Sequence, residues 1–253
     1  MLKILADSVA TLDAWLWGLP FIIILLGTHA FCTIRTGFVQ KHIFKGMRLS
    51  VTPDADGEGE VSQFGALTTA LAATIGTGNI IGVATAVASG GPGAVFWMWI
   101  TGVFGMATKY METAMAVKYR EQTKDGRMMG GAFTALELGL HSKWLAVLFA
   151  IFGGIAAFGI GCLTQANSIS TALKQNFGVD ERMAGVVVAI LTAIVIIGGV
   201  KSITKVTERL IPFMAAFYVL GCLWVIFMNR SVLGQSIALI FKSAFSFQAG
   251  AGG

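Results

Sequence analysis

The chain has 253 residues, of which 55% are hydrophobic and only 12% charged, against about 25% charged in an ordinary soluble domain. Its net charge of +5 comes without any basic groove interleaved with aromatic residues, which argues against nucleic-acid binding. Residues 62–108, 144–173 and 210–229 contain no Asp, Glu, Lys or Arg, and each run reaches the roughly 20 residues needed to cross hydrocarbon as a helix. These runs exclude a soluble domain and point to an all-α integral membrane protein.

Six spans are expected in chain order. The first covers 14–34, with Trp15 and Trp17 as interfacial anchors. Asp7 and Asp13 ahead of it do not suit the basic leader of a cleavable signal peptide. A polar stretch, 35–61, follows and holds the turn-like run from Thr52 to Gly57. The second span covers 62–89 and the third 94–119, divided by the tight turn Gly90-Gly91-Pro92-Gly93. A charged connector, 120–143, is expected to contain a short helix over 132–140. The fourth span covers 144–173, the fifth 183–201 and the sixth 209–229. A short amphipathic segment, 231–247, suits the membrane interface. The ending Gln248-Ala249-Gly250-Ala251-Gly252-Gly253 reads as the approach to another helix, so truncation is expected.

Orientation follows from Lys and Arg. Loops 35–61, 120–143 and 202–208, with their edges, hold twelve: Arg35, Lys41, Lys45, Arg48, Lys118, Arg120, Lys124, Arg127, Lys143, Lys201, Lys205 and Arg209. The opposite side holds five, Lys3, Lys174, Arg182, Arg230 and Lys242, while Lys109 falls inside a span. The positive-inside rule then makes those three loops cytoplasmic and puts the N-terminus outside.

The second span carries the chemistry. Within Thr74-Ile75-Gly76-Thr77-Gly78-Asn79 it gathers two glycines, two threonines and an asparagine, all at mid-membrane depth. Glycine inside a helix costs about 1 kcal/mol relative to alanine, and a backbone group freed in lipid needs another partner. A break is therefore tolerable only where the freed groups face protein, an ion or a ligand. Amides opening the second half-helix can hold a carboxylate, helped by the positive end of the helix dipole. Carbonyls closing the first half, with the Asn79 side chain, offer hard oxygens to Na⁺. Close helix packing by Gly76, Gly78 and Gly82 is the ordinary alternative. A nucleotide-binding loop is excluded, since no strand precedes the glycines.

The run Ala73-Thr74-Ile75-Gly76-Thr77-Gly78-Asn79-Ile80 and the run from Gly90 through Trp99 resemble the alanine or glycine:cation symporter family. Gly105 through Glu112 continue the likeness, and Gly130-Gly131 and the run Gln165 to Ser168 extend it. The resemblance implies a LeuT-type fold, with two inverted five-helix repeats preceded by one extra helix. Residues 1–61 would be that helix and a basic loop. Residues 62–229 would be the first repeat, its discontinuous helix at 72–79. Residues 230–253 would be a connector, with the second repeat, the carboxy-terminal half of the polypeptide, missing. It further implies that Gly76, Thr77 and Gly78 present amides to a substrate carboxylate. The Thr74 carbonyl and Asn79 side chain would bind one cation, and the carbonyls of Ala72 and Ile75 a second. The implied activity is Na⁺-coupled import of a small neutral amino acid, alanine or glycine, across the cytoplasmic (inner) cell membrane.

Further polar residues lie inside spans. Gln165 and Asn167 in the fourth span suit interhelical hydrogen bonds or substrate contact, and Gln165 is the stronger candidate. Phe158, Gly159 and Gly161 are placed to line a small pocket. Lys109 and Glu112, three apart, suit a local ion pair or a gate. His29, His42 and His141 are isolated, and Cys32, Cys162 and Cys222 lack metal-type spacing. Three alternatives stay open. One is a proton-coupled carrier. A channel subunit would call for a filter motif or charged ring, and neither is visible. A membrane enzyme would call for a catalytic constellation at span depth, also not visible.

Overall fold

Inside hydrocarbon a chain can satisfy its own amides and carbonyls only as helix or closed barrel. The computed structural model of this chain, which describes residues 2–52, 61–126, 128–246 and 249–250, is built accordingly from helices. Residues 53–57 of the expected turn, Arg127, and residues 248 and 251–253 of the glycine-rich ending lie outside the described residues.

The first span is two helices, α1 (Leu2–Leu16) and α2 (Leu19–Arg35). Gly18 is extended, and Pro20 in the first turn of α2 has no amide to continue a helix from α1. Within the span expected over 14–34, a new helix therefore begins at Leu19. The polar stretch contains a 3₁₀ turn, Val39–His42, and α3 (Ile43–Ser50). The second span divides into α4 (Gln63–Thr74) and α5 (Thr77–Gly90), and α6 (Ala94–Lys118) is the third.

The connector forms a small antiparallel hairpin, β1 (Glu121–Gln122) and β2 (Met128–Met129), with Glu121 opposite Met129. It continues as α7 (Ala132–Thr134) and a π turn, Ala135–Gly139, where a short helix was expected. The fourth span runs as α8 (Lys143–Ala156), a π segment Ala157–Leu163, and α9 (Thr164–Phe177). Helices α10 (Glu181–Ile197), α11 (Gly199–Met228) and α12 (Arg230–Ser243) complete the order.

One expectation is corrected. Residues 202–208, read as a cytoplasmic loop, lie inside α11. Gly199, at φ +69°, makes the turn from α10 almost at once. The charged run after it contains no helix breaker, so the chain leaves the apolar stretch without leaving the helix. Among the described residues, three segments suffice by length and composition to cross a membrane: Asp7–Arg35, Lys143–Phe177 and Gly199–Met228. A fourth is added if the bent pair α4 and α5 counts as one span. The remaining two of the six expected spans are weaker by this measure, because α6 carries Lys109 and Glu112 and α10 has only 17 residues.

The chain divides into two compact units, one of residues 1–43, 83–114 and 229–253, the other of 44–82 and 115–228. In the first, α2 meets α6 through polar contacts. His29 Nδ1 lies 2.7 Å from Thr108 Oγ1, and Gln40 Nε2 donates to Thr33 Oγ1 and to the Val103 carbonyl, both at 3.1 Å. The start of α6 packs on α12. Trp97 Nε1 donates to the Ala244 carbonyl at 2.6 Å, and the Phe96 ring lies 5.7 Å from that of Phe241 and 5.9 Å from that of Phe245.

In the second unit α4 lies along α11. Ser62 caps α4 by accepting the Gly65 amide at 2.9 Å, and its hydroxyl donates to Glu208 Oε1 at 2.8 Å. Thr69 and Thr207 hydroxyls are 3.3 Å apart. Thr68 and Thr204 are buried here, as Ala146, Ser170 and Ala184 are elsewhere in the unit, while Phe213, Phe217 and Trp224 of α11 are exposed. Small buried residues with large apolar ones outside is the arrangement of helices packed in lipid, where association depends on close approach.

Gly65 is the tightest point of the α4–α11 contact. A Cβ there would lie 2.5 Å from Thr204 Cγ2 and 2.6 Å from Glu208 Oε1. Gly65→Ala should lower thermal stability in detergent by roughly 1–3 kcal/mol, the usual range for overpacking. Gly221→Ala, where a Cβ meets open space, should leave the melting temperature unchanged.

Candidate functional site

The site is the gap between α4 and α5, where Ile75 and Gly76 are not helical and the two halves bend by 40°. The Ile75 amide still bonds to the Leu71 carbonyl at 2.6 Å. Ile75 then takes φ −82° and ψ 83°, and the Gly76 amide turns back to the Thr74 carbonyl at 3.1 Å. That i→i+2 bond is an inverse γ-turn, and it breaks the i→i−4 ladder. Helix α5 begins with the Asn79 and Ile80 amides on the Gly76 carbonyl, at 3.1 and 3.2 Å.

The turn leaves a defined set of main-chain groups open. Among the described residues, the carbonyls of Ala72, Ala73 and Ile75 and the amides of Thr77 and Gly78 have no hydrogen-bond partner. Donors therefore cluster at the start of α5 and acceptors at the end of α4. An open helix N-terminus favours an anion and a group of carbonyls favours a hard cation.

The side chains around the turn differ in availability. Thr77 Oγ1 donates to Gln165 Oε1, which ties the first residue of α5 to the first turn of α9. Gln165 also faces the glycine: a Cβ on Gly76 would lie 3.8 Å from Oε1 and 3.9 Å from Nε2. Thr77, Gly76 and Gln165 are all half-buried. The Gln165 Nε2 donor and the Asn79 amide group have no hydrogen-bond partner among the described residues. The Thr74 hydroxyl is engaged with the Ala70 carbonyl at 2.8 Å, and the Thr74 carbonyl already accepts from Gly76. Only the second lone pair of that carbonyl is open to a cation.

Of the eight candidate residues, the structure thus brings Ala72, Thr74, Ile75, Gly76, Thr77, Gly78 and Asn79 to one turn and adds Gln165 from a distant helix. Gly76 contributes space more than an amide, since its amide is spent inside the turn. Phe158, Gly159 and Gly161 lie in the π segment just before Gln165, and Asn167 is exposed. π segments within α-helices are frequent at functional sites. The Gln165 contact was legible as a polar residue in an apolar span, but its partner 88 positions away was not.

Other candidates fall elsewhere. Lys109 Nζ and Glu112 Oε1 form a 3.0 Å ion pair within α6, with both side chains more than half exposed, so this pair does not join α6 to a neighbour. His29 is buried and meets Thr108, a contact that no residue pattern signalled. His42 and His141 are exposed, and the three cysteines are free. No group of three or more His, Cys, Asp or Glu that could hold a metal ion occurs among the described residues. The residues of the turn itself, 72–79, carry no charged side chain.

Apolar helices of crossing length and small-residue packing together describe a multi-pass membrane protein. The family model described as the sodium:alanine symporter family matches residues 2–253, and the chain belongs to that family. It is 50% identical over 251 residues to the sodium/alanine symporter AgcS of Methanococcus maripaludis, covering 96% of this chain and 55% of that protein. It is 43% identical to a putative sodium/proton-dependent alanine carrier protein, YrbD, of Bacillus subtilis, over 98% of this chain and 51% of the relative. A probable sodium/glutamine symporter of the same organism, GlnT, is 34% identical over 100% of this chain and 53% of its own length. These relatives are named as symporters and carriers, not as enzymes. The chain spans about half the length of each. The family match over residues 2–253 does not in itself support the expectation of a missing half.

The Thr77–Gln165 contact can be measured without any transport assay. A double-mutant cycle of Thr77→Val and Gln165→Leu, read by unfolding in bicelles, should give a coupling energy of about 0.6 kcal/mol and at most about 1.7. A coupling of zero would mean the two side chains do not meet.

Proposed function

We propose that the protein carries a small neutral amino acid, alanine or glycine, inward together with Na⁺, by alternating access around the turn at Ile75–Gly76. The observation that carries this reading is the pairing of open amides and open carbonyls on either side of one γ-turn. A zwitterion and a cation need those two kinds of group within one short reach. In the proposed arrangement the Thr77 and Gly78 amides and Gln165 Nε2 hold the substrate carboxylate. The space left by the side-chain-free Gly76 admits the backbone of the substrate. The Asn79 side-chain oxygen and the Thr74 carbonyl hold one Na⁺, and the Ala72 and Ile75 carbonyls hold a second where two are used. Transport would follow from closure of the broken helix over the substrate, with one bundle rocking against the other.

The same reading extends to architecture. Residues 62–229 are proposed as the first repeat of a LeuT-type fold, after an N-terminal helix and basic loop over 1–61 and before a connector over 230–253. A second inverted repeat in the same polypeptide is part of the proposal. The basic residues of 35–61, 120–143 and the start of α11 are proposed to face the cytoplasm, with the N-terminus outside and the protein in the cytoplasmic membrane. Support for the substrate class comes from relatives named for alanine and for glutamine, which are both neutral amino acids. Support for Na⁺ over H⁺ is the turn itself, where no carboxylate or histidine is present to carry a proton.

Uptake of labelled alanine into proteoliposomes containing the full-length protein tests this. An inward Na⁺ gradient should drive accumulation, and a pH gradient alone should not. Asn79→Ala should raise the Na⁺ concentration for half-maximal uptake about tenfold or more, the scale of one lost charge-assisted contact. Uptake that persists without Na⁺, or an Asn79→Ala variant with unchanged Na⁺ dependence, would remove the sodium assignment.

A further inference from the structure

Helix α11 has two faces with different tasks. Thr204, Thr207, Glu208 and Ile211 lie on one side, where Thr204 and Ile211 are buried and Glu208 accepts the Ser62 hydroxyl of α4. A ridge of residues four apart, Lys201, Lys205, Arg209, Phe213 and Phe217, starts beside Glu208 and winds away from that side, and all five are exposed. Residues four apart form such a ridge along a helix, rising about 6 Å at each step. Lys205, Val206, Arg209, Leu210 and Phe213, all of α11, line a shallow, open groove of about 440 Å³. The Phe213 and Phe217 rings continue it, stacked with centroids 6.5 Å apart.

The groove changes character along its length. From Leu210 to Asn229 there is no charged residue, whereas Lys201, Lys205, Glu208 and Arg209 precede it within nine positions. At Arg209–Leu210 the charged part of this helix gives way to its uncharged part. Lys201, Lys205 and Arg209 have no ion-pair partner among the described residues, and the one carboxylate of the run, Glu208, is turned to α4. A row of cations with no ion-pair partner among the described residues, joined to an aromatic and aliphatic trough, fits one class of molecule.

We infer that this ridge is a binding site for an anionic phospholipid, with its phosphate between Lys205 and Arg209 and an acyl chain along Leu210, Phe213 and Phe217. The general rule that cationic residues gather on one side of a membrane accounts for their sign. It does not account for their alignment in a single row, for continuation of that row into a groove, or for the engagement of Glu208, the acid beside it, with Ser62. Basic residues close to an anionic membrane surface attract it individually. Arranged on one rigid helix they select a headgroup in one place. The site does not depend on which ion or amino acid the protein carries.

Native mass spectrometry of the purified chain, released from nanodiscs of phosphatidylcholine with a minor share of phosphatidylglycerol, reads retained lipid directly. The wild type should retain phosphatidylglycerol in preference to phosphatidylcholine. Lys205→Gln with Arg209→Gln should reduce that preference roughly fivefold per charge removed. Lys118→Gln with Lys143→Gln, which removes two other basic residues, should leave it intact. Phe213→Ala with Phe217→Ala should weaken retention while keeping the charge. Should the double variant fold poorly, Arg209→Gln alone should still give a loss, with circular dichroism reporting the fold. Inorganic phosphate should not displace the lipid. Equal retention by the 205/209 and 118/143 variants would overturn the site, as would full displacement by phosphate alone.

Discussion

A backbone group in hydrocarbon needs a hydrogen-bond partner, and a helix provides one for every group except near its ends. Splitting one span into α4 and α5 creates two extra ends inside the protein. The γ-turn at Ile75 absorbs part of that deficit, since the Gly76 amide and the Thr74 carbonyl satisfy each other. What is left over is a small set of amides and carbonyls of opposite polarity on the two sides of the turn. The fold around it can be understood as what keeps those groups in position without satisfying them.

Two supports do this within one compact unit. On the α4 side, the Ser62 cap, the Glu208 acceptor and the close approach at Gly65 fix the helix to α11. On the α5 side, Thr77 is held by Gln165 from α9. Helices α9, α10 and α11 then pack in series, so both supports belong to one connected body. Each contact is individually modest, as interhelical hydrogen bonds in lipid usually are. Their value is positional. A freed amide aimed a few ångströms away from a carboxylate would contribute little.

Much of this was legible in the residues. Glycine, threonine and asparagine crowded into an uncharged span signalled the interruption at Ile75–Gly76, because those residue types weaken a helix and offer polar groups together. Pairwise geometry was not legible. Nothing in the order of residues tells that Gln165 reaches Thr77, that Glu208 reaches Ser62, or that His29 meets Thr108 across 79 positions. The boundary of the sixth span was misjudged for a different reason. Residues 202–208 looked like a loop because charge was equated with the end of a helix, whereas charge marks only the end of the apolar environment. The start of the first span shows the reverse case. Trp15 and Trp17 drew the boundary to 14, but Gly18 and Pro20 decide where the main chain can begin a new helix.

The misjudged segment proves to be where two requirements meet on one helix. Residues four and seven apart share a side of an α-helix, and the 3.6-residue repeat places the next residue about 100° away. Glu208 can therefore bind α4 while Arg209, its neighbour, faces out with Lys205 and Phe213. A loop over 202–208 could not separate the two sets of side chains so sharply, because it would have no fixed faces. Only an uninterrupted helix through the charged run can brace the broken span on one side and present a row of cations to the bilayer on the other. The continuity of α11 past Arg209 is thus a structural condition for the support of the site, and Gly199, by completing the turn early, is what makes the length for it available.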